Sequence, residues 1–151
     1  MDKKDMHFLE KLLYSANKDD IISQLENTSD PLLLHFFAAN YNWNSGFDIP
    51  NAILENAACD LGTGLLMFHY ADGYRMLENT DDYSNSSLKA WKYFLANTYN
   101  KLINLDFKSQ NISFDPELTK VQKFKLKKKN PAIPDILIHQ SPGNVVDIPR
   151  I

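Results

Sequence analysis

The chain has 151 residues, of which 44% are hydrophobic, with 9 Phe, 7 Tyr and 2 Trp. This composition excludes a disordered chain, and the length suits a single domain over residues 1–151. Cys59 is the only cysteine, which excludes an internal disulfide. The apolar runs fall far short of the roughly 20 residues that cross a membrane. We therefore expect a cytoplasmic protein without a membrane partner.

The formal net charge of −3 is unevenly distributed. Residues 1–119 hold 9 Lys/Arg and 17 Asp/Glu, a net charge of −8, whereas residues 120–151 hold 7 and 2, a net charge of +5. The chain therefore combines an acidic body with a basic, proline-punctuated C-terminal segment. Such a body attracts basic proteins and repels nucleic acid at long range.

Helical spacing predicts two helices at the start of the chain. The first covers residues 5–16 and ends near Asn17, and the second begins with Asp19 and Asp20 at its positive N-terminal end. Their inward residues are predicted to be Met6, Leu9, Leu12, Leu13 and Ala16, then Ile21, Ile22 and Leu25.

Two aspartates that are closely followed by a proline, and one further aspartate, predict where the next three helices begin. Asp30 and Pro31 start a helix that is apolar on nearly every side, which is typical of the centre of a small bundle. Residues 48–50 open a short helix with Ile53, Leu54 and Ala57 inward. Asp60 then caps a further helix, and its loss is expected to cost about 1 kcal/mol. Gly62 and Gly64 in that helix indicate close backbone packing.

The second half begins with a polar linker predicted over residues 79–85. Ser86 or Ser87 then begins a long helix that runs to about Asn104. Its predicted inward residues are Leu88, Trp91, Leu95, Thr98 and Leu102.

Residues 107–114 are predicted to form a loop or a short strand. Asp115 and Pro116 repeat the capping pattern and predict a short helix through Val121, although the alternation in residues 124–127 also allows a strand. Residues 136–138 should pack on the body as part of an extended arm. The predicted fold is all-α, a compact bundle of about six or seven helices with an extended C-terminal arm.

Three titratable side chains invite a catalytic hypothesis. Asp60, His69 and Asp72 fall at the start and end of one predicted helix, where they would act as general acid and base if they lined a cleft. The structural interpretation is that Asp60 caps and His69 fills a partly buried slot. A small hydrolase using these residues is kept as an alternative, but we expect no enzyme and assign no catalytic residue.

Histidine and cysteine spacing does not predict a metal site or a cofactor. His35, His69 and Cys59 would have to be gathered from scattered positions, without the close pairs that zinc sites use. Cys59 at a helix N-terminus is a conceivable nucleophile, but a free cysteine is more often buried, and the neighbouring Asp60 opposes a thiolate.

The segment 120–129 is the basic feature of the chain. It holds six lysines and Phe124 but no arginine for bidentate phosphate contacts. Nucleic-acid binding through this segment is therefore a second alternative, against the simpler reading of a solvated face.

Aromatic and amide side chains cluster around Trp43. Tyr, Trp and Asn are typical of interfaces because they combine large contact area with a polar end. We name six candidate binding residues, and the alternative is that the loop plugs the core. They are Tyr41, Trp43, Asn44, Phe47, Asp48 and Tyr74.

The stretch from His35 to Pro50 (HFFAANYNWNSGFDIP), followed by Ile53, Asn56, residues 59–63 and Ala71-Asp72-Gly73, resembles the bacterial domain of unknown function family 4274. The resemblance spans roughly residues 30–78. It implies no catalytic residue. Small bacterial proteins of this kind are similar to immunity or accessory proteins found near polymorphic toxin genes. We therefore expect a protein partner, with neutralisation of a cognate toxin as its purpose.

Overall fold

Nine α-helices dominate the computed structural model, which describes residues 1–151, and the predicted all-α class is confirmed. Two 3-10 turns, Trp43–Ser45 and Asp135–Leu137, and two very short strands complete it. The helices are α1 (Lys3–Leu13), α2 (Lys18–Glu26), α3 (Pro31–Asn40), α4 (Asp48–Glu55), α5 (Leu61–Tyr70), α6 (Gly73–Glu78), α7 (Thr80–Ser84), α8 (Lys89–Ile103) and α9 (Lys120–Lys129).

Side-chain caps set the start of the early helices: Asp30 is the predicted cap of its helix, whereas Asn17 was expected only to end the helix before it. The Asn17 side chain accepts a hydrogen bond from the Asp20 amide at 3.0 Å and begins α2. Asp30 accepts from the Leu32 amide at 3.0 Å with Pro31 in the first turn of α3. These bonds satisfy amides that have no partner inside the helix, which fixes where the chain turns.

Helix α5 lies at the centre of the core. Every residue from Leu61 to Phe68 is buried, and α3 and α8 pack against it. The two glycines allow this burial. A Cβ on Gly62 would lie 1.8 Å from the Ile112 carbonyl oxygen, and one on Gly64 would lie 2.5 Å from Cζ of Phe107. The predicted close backbone packing is confirmed.

Three residues predicted to face inward are exposed. Helix α1 ends at Leu13, so Ala16 falls outside it, and Ala57 follows the end of α4. Leu88 is 57% exposed because α8 begins one residue later, at Lys89, with no side-chain cap. Each error comes from carrying a helical pattern past the true end of its helix.

The segment 79–85, predicted as a linker, is mostly helix α7. The Asn79 side chain accepts from the Asp82 amide at 3.0 Å and caps it. With α6, this short helix raises the helix count from the six or seven expected to nine. The prediction failed because a five-residue polar helix carries no apolar periodicity.

The helix predicted from Asp115 was placed too early. The Asp115 carboxylate accepts from the Glu117 amide at 2.8 Å and forms a turn. Glu117 has a positive φ of 57°, which a residue inside the first turn of a right-handed helix cannot adopt. Helix α9 begins at Lys120 behind a reciprocal capping box between Thr119 and Gln122. The choice between helix and strand for 120–129 is thereby decided for helix.

The segment after α9 packs on the body, as predicted for the arm. Leu137 and Ile138 are fully buried. Strand β1 (Ile112–Ser113) then pairs in parallel with β2 (Asn144–Val145). The longest helix, α8, has 15 residues, and no helix combines the length and apolar character needed to span a membrane.

Candidate functional site

The Trp43 loop, residues 41–48, runs from the end of α3 to the first residue of α4. Asn42 accepts a hydrogen bond from the Asn44 amide at 3.1 Å, which starts the 3-10 turn. Gly46 then adopts a φ of 96°, a conformation that favours glycine. The Tyr41 hydroxyl donates to the Gly46 carbonyl at 2.8 Å and ties the two ends of the turn together. The loop is therefore a fixed structure.

The inner side of this loop is an aromatic cluster. The Trp43 ring lies 5.4 Å from Tyr41 in a T-shaped contact and 5.8 Å from Phe94, and its Nε1 donates to the Ala38 carbonyl at 3.3 Å. Phe47 stacks on Phe94 with ring centroids 5.3 Å apart. Trp43 and Phe47 are half-buried. These contacts show that the two rings pack against the core and hold the loop on it, while part of each ring stays at the surface.

The outer side of the loop is polar and exposed. Asn42, Asn44 and Asp48 all face solvent. The Asp48 carboxylate pairs with Lys18 at 2.7 Å, but both side chains are more than half exposed. An ion pair this open stabilises the fold little and leaves Asp48 accessible. Burial raises the pKa of Tyr41 to about 12, so its hydroxyl stays protonated as a donor.

Two clefts flank the Trp43 loop. One, of about 440 Å³, lies between α1 and the loop and includes Tyr14, Tyr41, Asn42 and Ser45 in its wall. The second, of about 520 Å³, lies toward α6 and α8, and its lining includes Gly46, Phe47, Asp72, Leu88 and Trp91. The loop is thus a ridge between two surface depressions.

Sequence reasoning missed Tyr14 and Leu88 as members of this surface. Tyr14 is 77% exposed and Leu88 is 57% exposed, and each lines one of the two clefts. For Tyr14 a signal existed, because it lies off the apolar face of α1. For Leu88 the helical spacing predicted a buried side chain, which is wrong.

Tyr74 lies elsewhere, in α6. It lines a third cleft, of about 570 Å³, together with residues of α9, and that cleft includes no residue of the Trp43 loop. The structure therefore groups five of the six predicted binding residues and separates Tyr74 from them. The cluster had been assembled from residue type alone, and the position of α6 could not be read from the sequence.

The Asp60 carboxylate is a buried structural acceptor. It caps α5 through the Gly62 amide at 2.9 Å and also accepts from the Ser109 hydroxyl at 2.6 Å. The amides of Asn111 and Ile112 donate to it as well, at 2.7 and 3.1 Å. All four bonds use a side chain that is 0% exposed, so no substrate reaches it.

His69 and Asp72 do not complete an acid-base group with Asp60. The His69 Nε2 is hydrogen-bonded to the Leu137 carbonyl at 2.7 Å and must donate there, and burial lowers the pKa of the ring. Asp72 is exposed and has a positive φ of 64° at the start of α6. This geometry gives the hydrolase alternative no support.

His35 and Cys59 are buried and separately satisfied. The His35 Nδ1 lies 2.9 Å from the Thr63 hydroxyl, and burial lowers the pKa of His35 to about 4. Burial raises the pKa of the Cys59 thiol to about 12, which is the opposite of what a nucleophile needs. No group of three or more metal-binding side chains comes together in the chain.

The comparisons with known proteins place the chain in a family. Residues 29–103, about half of the chain, match the model described as Domain of unknown function (DUF4274). The chain belongs to this family. The matched segment of the DUF4274 protein runs from the start of α3 to the end of α8 and contains the whole Trp43 loop. No curated protein and no solved structure matches the chain.

Proposed function

We propose that this DUF4274 protein is a non-catalytic protein-binding module that neutralises a cognate bacterial toxin, in the manner of an immunity protein. The observation that carries the proposal is the Trp43 loop as a fixed ridge between two clefts. A rigid ridge loses little conformational entropy on binding, and the ordering of loops is one of the costs that reduce affinity.

The shape of this surface suits partner side chains. The two open clefts, of about 440 and 520 Å³, leave room beside the loop for side chains of a partner. Tyr14 stands exposed in one cleft and Leu88 in the other. Aromatic and aliphatic anchors in such pockets usually provide most of the binding free energy at an interface.

The charge of the body supports a basic partner. Residues 1–119 carry a net charge of −8. Asp19 and Asp20 of α2 are exposed. Lys18, which precedes them, pairs with Asp48 at the end of the Trp43 loop, and α2 packs against α4. These two acids therefore lie near the loop. A surface of one sign accelerates association with an oppositely charged protein, and this acceleration decreases with salt.

A protection assay tests the proposal. Cells that produce the toxin encoded beside this gene should survive when they also produce the wild-type chain. Asn44→Arg should abolish protection, since a bulky cation at the ridge obstructs contact and repels a basic partner. Asn104→Arg is the matched control, because Asn104 is an exposed asparagine at the end of α8, outside the Trp43 loop and outside both clefts.

Two further variants divide the surface. Tyr14→Ala tests the first cleft and Leu88→Ala the second, while Tyr93→Ala removes a 64% exposed tyrosine outside both. We expect the two cleft variants to reduce affinity about tenfold or more and the control to leave it unchanged. If the wild-type chain neither binds nor protects against the neighbouring toxin, the proposal is wrong.

A further inference from the structure

Helix α9 presents an unusual surface on the side of the molecule where α6 lies. Val121 and Phe124 lie one helical turn apart, and neither packs against the core. Phe124 is 67% exposed and Val121 is 61% exposed. Only Leu126 of this helix is buried. Two adjacent apolar side chains left in solvent on a helix are therefore available for contact with a ligand.

Lysines surround these two side chains. Six lysines lie in α9, and only Lys127 forms an ion pair, with Asp135 at 2.6 Å. Lys129 donates to the Glu78 carbonyl at 2.8 Å and keeps its charge. The side chains of four lysines form neither an ion pair nor a hydrogen bond, namely those of Lys120, Lys123, Lys125 and Lys128. The acidic body thus leaves most of this charge without a partner.

The α9 surface continues into the third cleft. Lys125 and Lys128 follow Val121 and Phe124 on the same stripe of the helix, at spacings of three and four residues. These two lysines also line the cleft of about 570 Å³, where α6 contributes Tyr74, Asn79 and the acidic Glu78. One continuous surface therefore carries an exposed phenylalanine, a row of lysines and a half-buried tyrosine.

We infer that this surface binds single-stranded nucleic acid. Lysines neutralise the phosphates, and an exposed aromatic ring gives an unpaired base a flat face on which to stack. A flat anionic membrane would not enter the concave cleft beside Tyr74. The absence of arginine in α9 fits binding without sequence preference, since bidentate base contacts are not available.

This inference is independent of the Trp43 loop. The two surfaces share no lining residue, and their charges favour opposite classes of partner. A chain that fails to bind a toxin can still bind nucleic acid through α9, and the reverse also holds.

Fluorescence anisotropy of a labelled oligothymidine or oligouridine of about 20 nucleotides, titrated with the full chain, tests the inference. A plot of the logarithm of the association constant against the logarithm of the salt concentration should have a slope of about −3. Each of the four unpaired lysines that contacts a phosphate contributes about −0.7 to this slope. Lys125→Ala with Lys128→Ala should reduce the slope by about 1.4. Phe124→Ala should weaken binding about tenfold at every salt concentration.

Matched controls keep the test specific. Lys4→Ala with Lys11→Ala removes two exposed lysines from α1, and Tyr93→Ala removes an exposed aromatic ring from α8. Neither change should alter affinity. The inference is overturned by an absence of binding at low salt, by a flat salt response, or by equal losses in the control variants. Tighter binding to phosphatidylserine vesicles than to the oligonucleotides would also overturn it, in favour of a membrane surface.

Discussion

The Asp60 carboxylate accepts a hydrogen bond from the backbone amide of Ile112 at 3.1 Å, across 52 residues of chain. The same oxygen accepts from the Gly62 amide at 2.9 Å, so one atom caps α5 and holds β1 against it. This relationship explains why the core helix tolerates a fully buried carboxylate. A buried charge is stable when several donors surround it.

Replacing Asp60 with alanine should destabilise the fold by about 4 kcal/mol. The change removes the cap and leaves the Ser109 hydroxyl and the Asn111 and Ile112 amides without their acceptor. Urea unfolding measures the loss. Asp30→Ala is the matched control, because Asp30 is an exposed cap with one bond, and it should cost only about 1 kcal/mol. Equal losses in the two variants would show that Asp60 is only a cap.

Gly62→Ala should destabilise more than Gly64→Ala. A Cβ at Gly62 would meet the Ile112 carbonyl at 1.8 Å, which is backbone, whereas at Gly64 it meets the side chain of Phe107, which is half-buried. Backbone in the β1 pairing has little room to move, and we expect a cost of at least about 2 kcal/mol for Gly62→Ala. Thermal unfolding of the two variants compares them, and the reverse order would contradict the close approach of α5 and β1.

Stability should fall as the pH is lowered through the window set by His35. Burial lowers the pKa of His35 from 6.5 to about 4, so the unfolded chain takes up the proton first. The free energy of unfolding is therefore fully retained above pH 6.5 and decreases by about 3 kcal/mol as the pH falls to about 4. His69, whose pKa burial also lowers, acts in the same direction.

Urea unfolding of the wild type and of His35→Gln across this pH range checks the assignment. Glutamine cannot take up the proton but keeps a polar group near the Thr63 hydroxyl. In His35→Gln the free energy of unfolding should therefore lose the decrease of about 3 kcal/mol between pH 6.5 and about 4. Parallel curves for the two proteins would mean that His35 is not the group responsible.

Cys59 should be inert in the folded protein. Its thiol is 2% exposed, and burial raises its pKa to about 12. Reaction with a disulfide reagent near pH 8 should be at least about a hundredfold slower in buffer than in concentrated urea. A fast reaction in buffer would show that the thiol is accessible and would reopen its role as a nucleophile.

The sequence was most informative where a side chain acts on its own neighbours. Asp30 and Asp60 were recognised as caps, and Gly62 as a contact, because local chemistry decides such positions. The three distant donors to Asp60 could not be predicted, since nothing in the sequence links residues 109–112 to the start of α5. These donors are the reason why we expect the loss of Asp60 to cost more than the roughly 1 kcal/mol of a helix cap alone.

The candidate site was predicted as a set of residue types and only partly as a surface. Local contacts gather Tyr41, Trp43 and Phe47, which are close in the chain. Tyr74 was misplaced because the direction of α6 depends on its packing, and the two clefts depend on residues from α1, α6 and α8 that only the tertiary fold brings near the loop.

The most direct test of toxin recognition through the Trp43 loop is isothermal titration calorimetry with the purified, inactivated toxin encoded beside the gene. The account predicts nanomolar-range binding by the wild type and by Asn104→Arg, and a loss of at least about a hundredfold for Asn44→Arg. Equal affinities for Asn44→Arg and Asn104→Arg would contradict it, because the loop would then lie outside the interface.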